Sequence, residues 1–425
     1  MKTDKASPAP FGGAPNRERR FQAAGRDLRL FLVAGEHSGD ALGAKLMAAL
    51  NAARRGRIRY VGVGGAAMEA LGLISQFPME EVAVMGPGAI VRRLPVILSR
   101  ITTTAAAVIA ADPDALIIID SPEFTHRIAR RVRRRRPDIP ILNYVSPSVW
   151  AWRPGRAAKM RDYIDHVLAL LPFEPAAHRA LGGPPCSYVG HPLLERLEWL
   201  RALDTLPLAR RLALPPGSEV LAVLPGSRAS EVGRLMGPFG EAVRRLLAEG
   251  RNIEVVTPVV ASVRTMVEEA ALGWPKRPHL VSSEEDKFSA LKLARAALAA
   301  SGTVTLELAL AGTPMVVGYK VDAMAGRVLR RLITAPSVVL VNLVLGERAI
   351  PELLQEHCTP VELAAALASI LEEGPPRARQ LQALARVPQR MAVPKGSPSE
   401  AAADIVLDYA EYGRGWPRPE RASKA

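Results

Sequence analysis

The chain of 425 residues contains only two cysteines, Cys186 and Cys358, which stand far apart. Their separation matches no metal-binding or redox motif, so we expect a reducing compartment and no chemical role for either thiol. The first 25 residues lack the apolar segment of a secretory signal and are rich in proline, glycine, alanine and charge. We interpret residues 1–26 as a disordered leader.

Uninterrupted apolar runs of membrane-spanning length are also missing. The most apolar stretch, residues 293–319, is divided by small, charged or cyclic residues: Ser301, Gly302, Thr303, Glu307 and Pro314. A span of the hydrocarbon core needs about 20 consecutive apolar residues. We therefore expect no membrane helix in this stretch, and any membrane contact from one side only.

Acidic residues are fewer than basic ones, 42 against 56, which gives a net charge of +14. This excess favours a polyanionic partner, which is nucleic acid, an anionic membrane surface or a phosphorylated substrate. Residues 127–136 carry seven arginines, and residues 327–332 form a second basic segment. Exposed aromatic residues and nucleic-acid-binding motifs are missing there, so we expect a solvated or membrane-facing helix and no nucleic-acid partner.

From Asp27 onward, short β-branched runs alternate with small-residue turns and longer helical segments. This alternation predicts parallel sheets covered by helices on both faces, and the length predicts two domains. A charged, proline-containing connector near residue 199 separates the two series. We predict an N-terminal α/β domain at 27–198, a C-terminal α/β domain at 199–395, and a helix with a tail at 396–425 that could pack on the first domain. Two such doubly wound domains bind ligands in the crevice at the carboxyl ends of their strands.

Two turns of the first domain carry candidate residues. Gly35 and Gly39 follow the first strand and allow a ligand close to the backbone, with Ser38 or Asp40 as the helix N-cap. Amides there could hold a phosphate or a sugar. Asp120 ends a later apolar strand, which is a suitable place for a general base; its alternative role is a cap of the next helix.

Two segments resemble a dinucleotide-binding motif and a metal-binding motif, respectively. Residues 62–67 fit a dinucleotide-binding glycine pattern, but they follow the second strand rather than the first, and a lone pattern of this kind is weak. Asp112 and Asp114 imitate a metal-binding pair, but the intervening proline indicates a turn that enters the next strand. No metal site is evident.

Similar turns occur in the second domain after its first strand. Gly226 and Ser227 offer amides and a hydroxyl, Arg228 can bind phosphate in a bidentate way, and Glu231 could open the next helix. A domain does not need two anion-binding turns for its structure alone, which favours a role in ligand binding.

The other anion-binding turn runs from Ser301 to Glu307. Amides at Gly302 and Thr303 could take a diphosphate at a helix N-terminus. Glu307, about one turn later, could accept hydrogen bonds from ribose hydroxyls.

Two tryptophans, Trp150 and Trp152, stand one residue apart although only 5% of residues are aromatic. In an extended segment they would share one apolar face that ends at Arg153 and Arg156. Such a face could bind a ligand that is both apolar and anionic. A buried tryptophan pair in a core strand is an equally good interpretation.

These segments together resemble lipid-A-disaccharide synthase over residues 28–407. The matching segments include AGEHSGDALGA, GVGGAAMEALG, IDSPEF, YVSPSVWAWRPGR, DHVLALLPFEP, YVGHPL, LPGSRASEV, AASGTVTLELALAGTPMVVGYKV and PELLQE. The resemblance implies a GT-B glycosyltransferase that joins UDP-2,3-diacylglucosamine to 2,3-diacylglucosamine 1-phosphate (lipid X). It also implies that the N-terminal domain lies on the acceptor side and that the C-terminal domain binds the UDP-sugar. It implies no cofactor, and a peripheral location on the cytoplasmic face of the inner membrane.

By the same resemblance, Asp120 is expected to be the base that deprotonates the acceptor 6-hydroxyl, and Arg228 to stabilise departing UDP. Donor contacts are expected from Gly226, Ser227, Ser301, Gly302, Thr303, Glu307 and Asn342. Acceptor, sugar or acyl contacts are expected from Gly35, Ser38, Gly39, Asp40, Ser146, Trp150, Trp152, Arg153 and His191. The alternatives are another GT-B transferase, a UDP-sugar epimerase, or a basic nucleic-acid- or membrane-binding protein; an oligomer is possible.

Overall fold

The computed structural model describes residues 27–54, 57–83, 87–322 and 335–415. The predicted leader at 1–26, the basic segment at 327–332 and the end of the predicted tail, 416–425, lie outside these ranges. Cys186 and Cys358 are both free thiols.

The first sheet has seven strands in the order β3-β2-β1-β4-β5-β6-β7. The strands are β1 (Leu28–Ala34), β2 (Ile58–Val63), β3 (Leu73–Ser75), β4 (Ala115–Ile119), β5 (Ile141–Tyr144), β6 (His166–Ala169) and β7 (Cys186–Tyr188). β1 pairs in parallel with β2 on one side and with β4 on the other. Strand order therefore reverses between β1 and β4, and the turns after these two strands are neighbours.

Helices connect the strands of this sheet. They are α1 (His37–Arg54), α2 (Ala66–Glu69), α3 (Pro87–Ala111), α4 (Pro122–Arg135), α5 (Gly155–Met160) and α6 (Glu174–Ala180), with 3-10 turns at Met79–Glu81 and Pro192–Arg196. All five residues of β4 are buried, as expected for a strand covered on both faces.

The arginine-rich segment forms most of α4, but its arginines are not all solvated. Arg133 is buried and donates to the carbonyls of Pro137 and Ile139. Arg136 pairs with Asp112 and Asp138, which fixes the turn into β4. The prediction of a purely solvated face was therefore wrong for these two side chains.

The second sheet has six strands in the order β10-β9-β8-β11-β12-β13. The strands are β8 (Glu219–Leu224), β9 (Ile253–Pro258), β10 (His279–Val281), β11 (Ala296–Ala299), β12 (Met315–Tyr319) and β13 (Glu352–Leu354). Strand order reverses between β8 and β11, which pair in parallel. The two predicted anion-binding turns follow these two strands, so the topology makes them neighbours.

Short helices α7 (Leu197–Ala202) and α8 (Leu206–Arg211) precede the second sheet. Its helices are α9 (Ala229–Ala248), α10 (Arg264–Ala271), α11 (Glu284–Leu293), α12 (Val304–Ala311), α13 (Leu340–Leu345), α14 (Pro360–Leu371) and α15 (Pro375–Arg390), followed by α16 (Pro398–Tyr412). Further 3-10 turns lie at Ala261–Val263, Gln355–His357 and Gly413–Gly415.

The chain forms two compact units. One comprises residues up to Asn143 together with those from Ala402 onward, and the other runs from Tyr144 to Ala401. Within the first unit, Arg54 of α1 pairs with Glu411 of α16 at 2.6 Å. Compactness and sheet membership divide the chain at different places, so the boundaries at 198 and 395 stay predictions.

Among the described residues, one helical stretch has the length and apolar character needed to cross a membrane, Arg92–Ala111 of α3. It lies outside the stretch that the sequence singled out. About one fifth of its best window, 22%, is buried in the protein. Leu94, Val96 and Leu98 are exposed on it.

Candidate active site

The turns after β1 and β4 meet in the first unit. Gly35 packs against Ser121 so closely that an added Cβ would lie 2.9 Å from the Ser121 Cβ. The Ser121 hydroxyl donates to Glu36 Oε1 at 3.1 Å. Glycine is therefore required at position 35 for packing between the turns, and Glu36 is brought beside the predicted base Asp120.

Asp120 and Ser121 both have a left-handed backbone, with φ of 50° and 44°. Non-glycine residues in this region cost about 1–3 kcal/mol each, and they cluster at functional sites. The Ser121 amide donates to Asp120 Oδ1 at 2.8 Å. Burial and the charge of Glu36 raise the pKa of Asp120, while the Ser121 amide opposes the shift. A carboxylate with a raised pKa at a strand end is suited to general-base chemistry.

Asp40 has a structural role that the sequence did not predict. It lies within the first turn of α1 and so cannot be the N-cap of that helix. Its buried carboxylate accepts hydrogen bonds from the amides of Gly65, Ala67 and Met68, at 2.8–3.1 Å. These amides belong to the dinucleotide-like glycine turn. The Asp40 carboxylate therefore satisfies these amides from within the protein.

Ser38 and Gly39 also lie inside α1, so the prediction of Ser38 as an N-cap was wrong as well. Ser38 is exposed, whereas Gly39 is buried. A Cβ on Gly39 would lie 3.3 Å from the Cβ of Ala34. Gly39 therefore allows α1 to pack closely against β1, and a ligand contact by Ser38 stays a prediction.

In the second unit, a cavity of about 550 Å³ opens where four strands end. Leu224, Pro258, Ser282 and Ala300 line it at the carboxyl ends of β8, β9, β10 and β11. The lining also includes Gly226, Ser227, Arg228, Ser301, Gly302, Thr303 and Glu307. Six residues predicted to contact the donor are thus brought from two separate segments into one cavity together with Arg228, which was predicted to stabilise departing UDP. We name it the strand-end cavity.

The turn after β8 is organised by Glu231, the third residue of α9. Its Oε1 accepts from the Arg228 guanidinium at 2.9 Å, and its Oε2 accepts from the Ser227 amide at 3.2 Å. Gly226 has φ of 109°, and a Cβ there would lie 2.4 Å from Glu231 Oε2. The Ser227 amide is therefore engaged within the protein, and the predicted contact of Ser227 to the donor stays a prediction. The Arg228 side chain is 67% exposed and remains accessible to a ligand.

The turn after β11 presents donors at the start of α12. The amides of Gly302 and Thr303 have no acceptor within the described part of the chain. Glu307 Oε1 accepts from Lys287 Nζ at 2.7 Å, and both side chains line the cavity. Lys287 was not predicted from the sequence, although it is the one basic residue in the first turn of α11. Amides and a lysine beside a carboxylate can bind a diphosphate and a ribose together.

Asn342 lies away from this cavity. It is buried, its amide nitrogen donates to the Ile350 carbonyl and to Glu352, and its oxygen accepts from the Ile350 amide at 2.8 Å. The amide nitrogen and the amide oxygen of Asn342 are thus both hydrogen-bonded inside the protein. These bonds give Asn342 a structural role that joins α13 to β13, and a contact to the donor stays a prediction.

The tryptophan segment is a turn rather than the extended strand that the sequence suggested. Trp150 packs edge-on against Phe173, with ring centroids 5.0 Å apart, and its indole N–H donates to Glu174 at 3.2 Å. Trp152 is 38% exposed and lies under the guanidinium of Arg153 at 4.3 Å. One tryptophan is thus anchored to the core and the other is available to solvent. Both line a second cavity of about 480 Å³.

Glu174 is a buried carboxylate that was not identified from the sequence. It accepts hydrogen bonds from the Leu171 amide and from Trp150. Burial raises the pKa of Glu174 to about 7, and these two bonds oppose the shift. The charge of Glu174 therefore changes near neutral pH directly behind Trp150.

The contacts that the structure shows for Ser146 and His191 are made within the protein and have structural roles. The buried Ser146 hydroxyl lies 2.8 Å from Nε2 of His178, and burial lowers the pKa of His178 to about 4. His191 Nδ1 accepts from the Leu193 amide at 3.2 Å and so caps the 3-10 turn that follows. Neither residue is among those that line the two cavities. Their predicted contacts to the acceptor stay predictions.

Comparison with known proteins identifies the family. Residues 30–405 match the family described as lipid-A-disaccharide synthetase. The lipid-A-disaccharide synthase of Nitrobacter hamburgensis is 53% identical over 92% of this chain and 98% of its own length. That of Bradyrhizobium diazoefficiens is 52% identical, over 92% and 99%. The chain belongs to the lipid-A-disaccharide synthase family.

Membership in the lipid-A-disaccharide synthase family confirms the predicted enzyme, a glycosyltransferase of lipid A biosynthesis. Solved structures show the fold. UDP-GlcNAc 2-epimerase from Neisseria meningitidis superimposes with a TM-score of 0.62 at 12% identity, covering 90% of this chain and 100% of that one. A glycosyltransferase from Rickettsia africae gives 0.58 at 10%, covering 91% and 99%. The predicted pair of doubly wound GT-B domains is thereby confirmed.

Proposed function

We propose that this enzyme transfers the diacylglucosaminyl group of UDP-2,3-diacylglucosamine to the 6-hydroxyl of 2,3-diacylglucosamine 1-phosphate. The products are UDP and the β-1,6-linked lipid A disaccharide 1-phosphate. Family membership supports the reaction, and the strand-end cavity supports the nucleotide half of it. That cavity combines an accessible arginine, helix-terminal amides and a Lys287–Glu307 pair.

The chemistry assigned to Asp120 is that of a general base. As the acceptor 6-oxygen bonds to the anomeric carbon of the donor, its proton passes to the Asp120 carboxylate, and the bond from that carbon to the UDP oxygen breaks. A single displacement of this kind inverts the anomeric centre. The raised pKa of Asp120 increases its basicity, which favours proton transfer in the transition state.

The departing UDP carries growing negative charge, and the assigned partner is Arg228. In the structure its guanidinium rests on Glu231. Because the side chain is 67% exposed, it can turn to the diphosphate without opening the core. Helix-terminal amides at Gly302 and Thr303 supply further stabilisation at fixed positions.

Association with an anionic membrane from one side is the remaining part of the proposal. α3 supports it, since exposed Leu94, Val96 and Leu98 lie next to Arg92 and Arg93. An apolar helical surface beside basic residues is typical of helices that lie in a membrane interface. Such a location, on the cytoplasmic face of the inner membrane, would suit two lipid substrates.

The experiment is a two-substrate assay with Asp120→Asn. Formation of UDP and the disaccharide is followed by mass spectrometry, and the anomeric configuration by NMR. We expect a loss of about 10²–10⁴-fold in turnover, the usual contribution of a general base. Asp404→Asn, an exposed aspartate on α16, is the control for a lost surface charge. Near-normal turnover of Asp120→Asn would refute the assignment, and an inactive wild type would refute the reaction.

A further inference from the structure

The second cavity of the 144–401 unit is an apolar site that the reaction as described does not use. It lies at the carboxyl ends of β12 and β13, where Tyr319 and Leu354 end their strands. Trp150, Trp152 and Val338 complete its apolar walls. We name it the tryptophan cavity. At about 480 Å³ it lies in the range of pockets that enclose most of a small ligand.

The tryptophan cavity adjoins the strand-end cavity. Ser301 lines both, and its hydroxyl donates to the Val338 carbonyl at 2.6 Å, so this pair forms part of the wall between them. Tyr319 lines the tryptophan cavity, and its hydroxyl responds to charges in the other. Burial and the charge of Glu231 raise the pKa of Tyr319, while Arg228 lowers it. The two cavities are therefore neighbours, with Ser301 at their common wall.

The far wall is held in a strained conformation. Gln355 has φ of 52°, a left-handed value that non-glycine residues seldom adopt. Its side-chain oxygen accepts a long hydrogen bond from the Val321 amide, at 3.4 Å, and both residues line the cavity. Strain of this kind persists where the surrounding structure fixes it, and it is frequent at ligand sites.

We propose that the tryptophan cavity binds one acyl chain of the UDP-sugar donor. The inference rests on the proposed function, because only then does one substrate join a nucleotide to acyl chains. The cavity shares a wall with the nucleotide site of the same unit, which favours the donor over the acceptor as the source of the chain. Trp150 is fixed by its bond to Glu174, whereas the half-exposed Trp152 covers the chain and loses water contact when the chain enters.

The test varies the donor chain while the acceptor stays the same. Donors with full-length and progressively shortened chains, altered at one position of the sugar at a time, are assayed for kcat/KM. Each methylene that the cavity buries contributes about 0.8 kcal/mol, or about fourfold in binding. We therefore expect kcat/KM of the wild type to fall about fourfold per methylene removed at one position, down to a plateau.

Trp152→Ala tests the cavity itself. We expect kcat/KM for the full-length donor to fall about tenfold, and for the shortest donor less than twofold, because only the long chain contacts the lost ring. UDP affinity and melting temperature should change little. Trp199→Ala is the matched control: this tryptophan is 39% exposed, against 38% for Trp152, and lines neither cavity.

A second variant, Val338→Phe, places a larger side chain in the cavity and keeps the backbone carbonyl of residue 338 that accepts from the Ser301 hydroxyl. It should shift the preferred donor chain toward shorter lengths. Equal losses for all donors in both variants would overturn the inference, as would a loss that follows the acceptor chain. A wild type that makes no disaccharide from any donor overturns the proposed function instead, so the two failures are distinguishable.

Discussion

Glu307 offers a test of how the nucleotide is bound. Its side chain is mostly buried and pairs with Lys287 at 2.7 Å, which engages Oε1 and leaves Oε2 to accept a further hydrogen bond. If that bond comes from the ribose, Glu307→Gln replaces a charged acceptor by a neutral one. Hydrogen bonds to charged groups contribute about 1.5–3 kcal/mol and neutral ones about 0.5–1.5 kcal/mol. The expected loss is about 1.4 kcal/mol, or about tenfold in Kd.

The same substitution also leaves Lys287 without its carboxylate, and this favours the diphosphate. The two effects oppose each other in the affinity for UDP alone. They separate when UDP is compared with an analogue that lacks both ribose hydroxyls, because the diphosphate is common to both ligands. The expected result is a wild type that prefers UDP strongly and a Glu307→Gln variant whose preference is about tenfold smaller.

Isothermal titration calorimetry of both ligands with both proteins gives the required ratio. Glu285→Gln is the control, since Glu285 is exposed on α11 beside Lys287 and does not line the cavity. An unchanged preference for UDP in Glu307→Gln would refute the ribose contact. Glu307 would then serve only to hold Lys287.

Three further predictions concern charge. Arg228→Ala should lower kcat about 10²–10³-fold at saturating substrate, with an unchanged melting temperature, because an exposed arginine serves the leaving group rather than the core. Glu36→Gln should shift the acid limb of the kcat/KM profile to lower pH, since Glu36 raises the pKa of Asp120. Glu174, with a pKa of about 7 against an ordinary 4.5, should make the free energy of unfolding fall between these pH values, by about 3 kcal/mol in total, as its unfolded form ionises first. Glu174→Gln should remove this contribution, so the difference in unfolding free energy between the wild type and the variant measures it.

Each of these three predictions would be contradicted by a specific result. Arg228→Lys should keep part of the activity, and full activity in Arg228→Ala would exclude a role in departure of UDP. An acid limb that stays in place in Glu36→Gln would assign that limb to a group other than Asp120. Chemical denaturation between pH 4.5 and 7 measures the Glu174 effect. An identical pH dependence of stability in the wild type and in Glu174→Gln over that interval would contradict a raised pKa for Glu174 in the folded protein.

The sequence by itself determined the two sheets and which turns follow their central strands. Continuous apolar strands such as Ala115–Ile119 can only be buried on both faces, and the turns that follow them meet at one edge of a parallel sheet. Gly226, Arg228 and Glu307 were placed from this local pattern alone, and one cavity contains all three.

Only the tertiary structure decided which side chains and amides contact each other. Asp40 reaches amides about 25 residues away, and Glu36 meets Ser121 across 85 residues. These partners become neighbours only through the strand order β2-β1-β4, which no local pattern specifies. The Asn342 side chain, by contrast, lies inside the protein because the buried amide and carbonyl of Ile350 need hydrogen-bond partners.

The tryptophans show the same division. Their spacing indicated an apolar surface, but the assumed extended backbone was wrong, and the apolar walls that face them come from β12 and β13, more than 160 residues later in the chain. Burial of Trp150 depends on Phe173 and Glu174, and exposure of Trp152 depends on the turn between them. Composition determined that the aromatic surface exists; packing between distant segments determined that it lines a cavity.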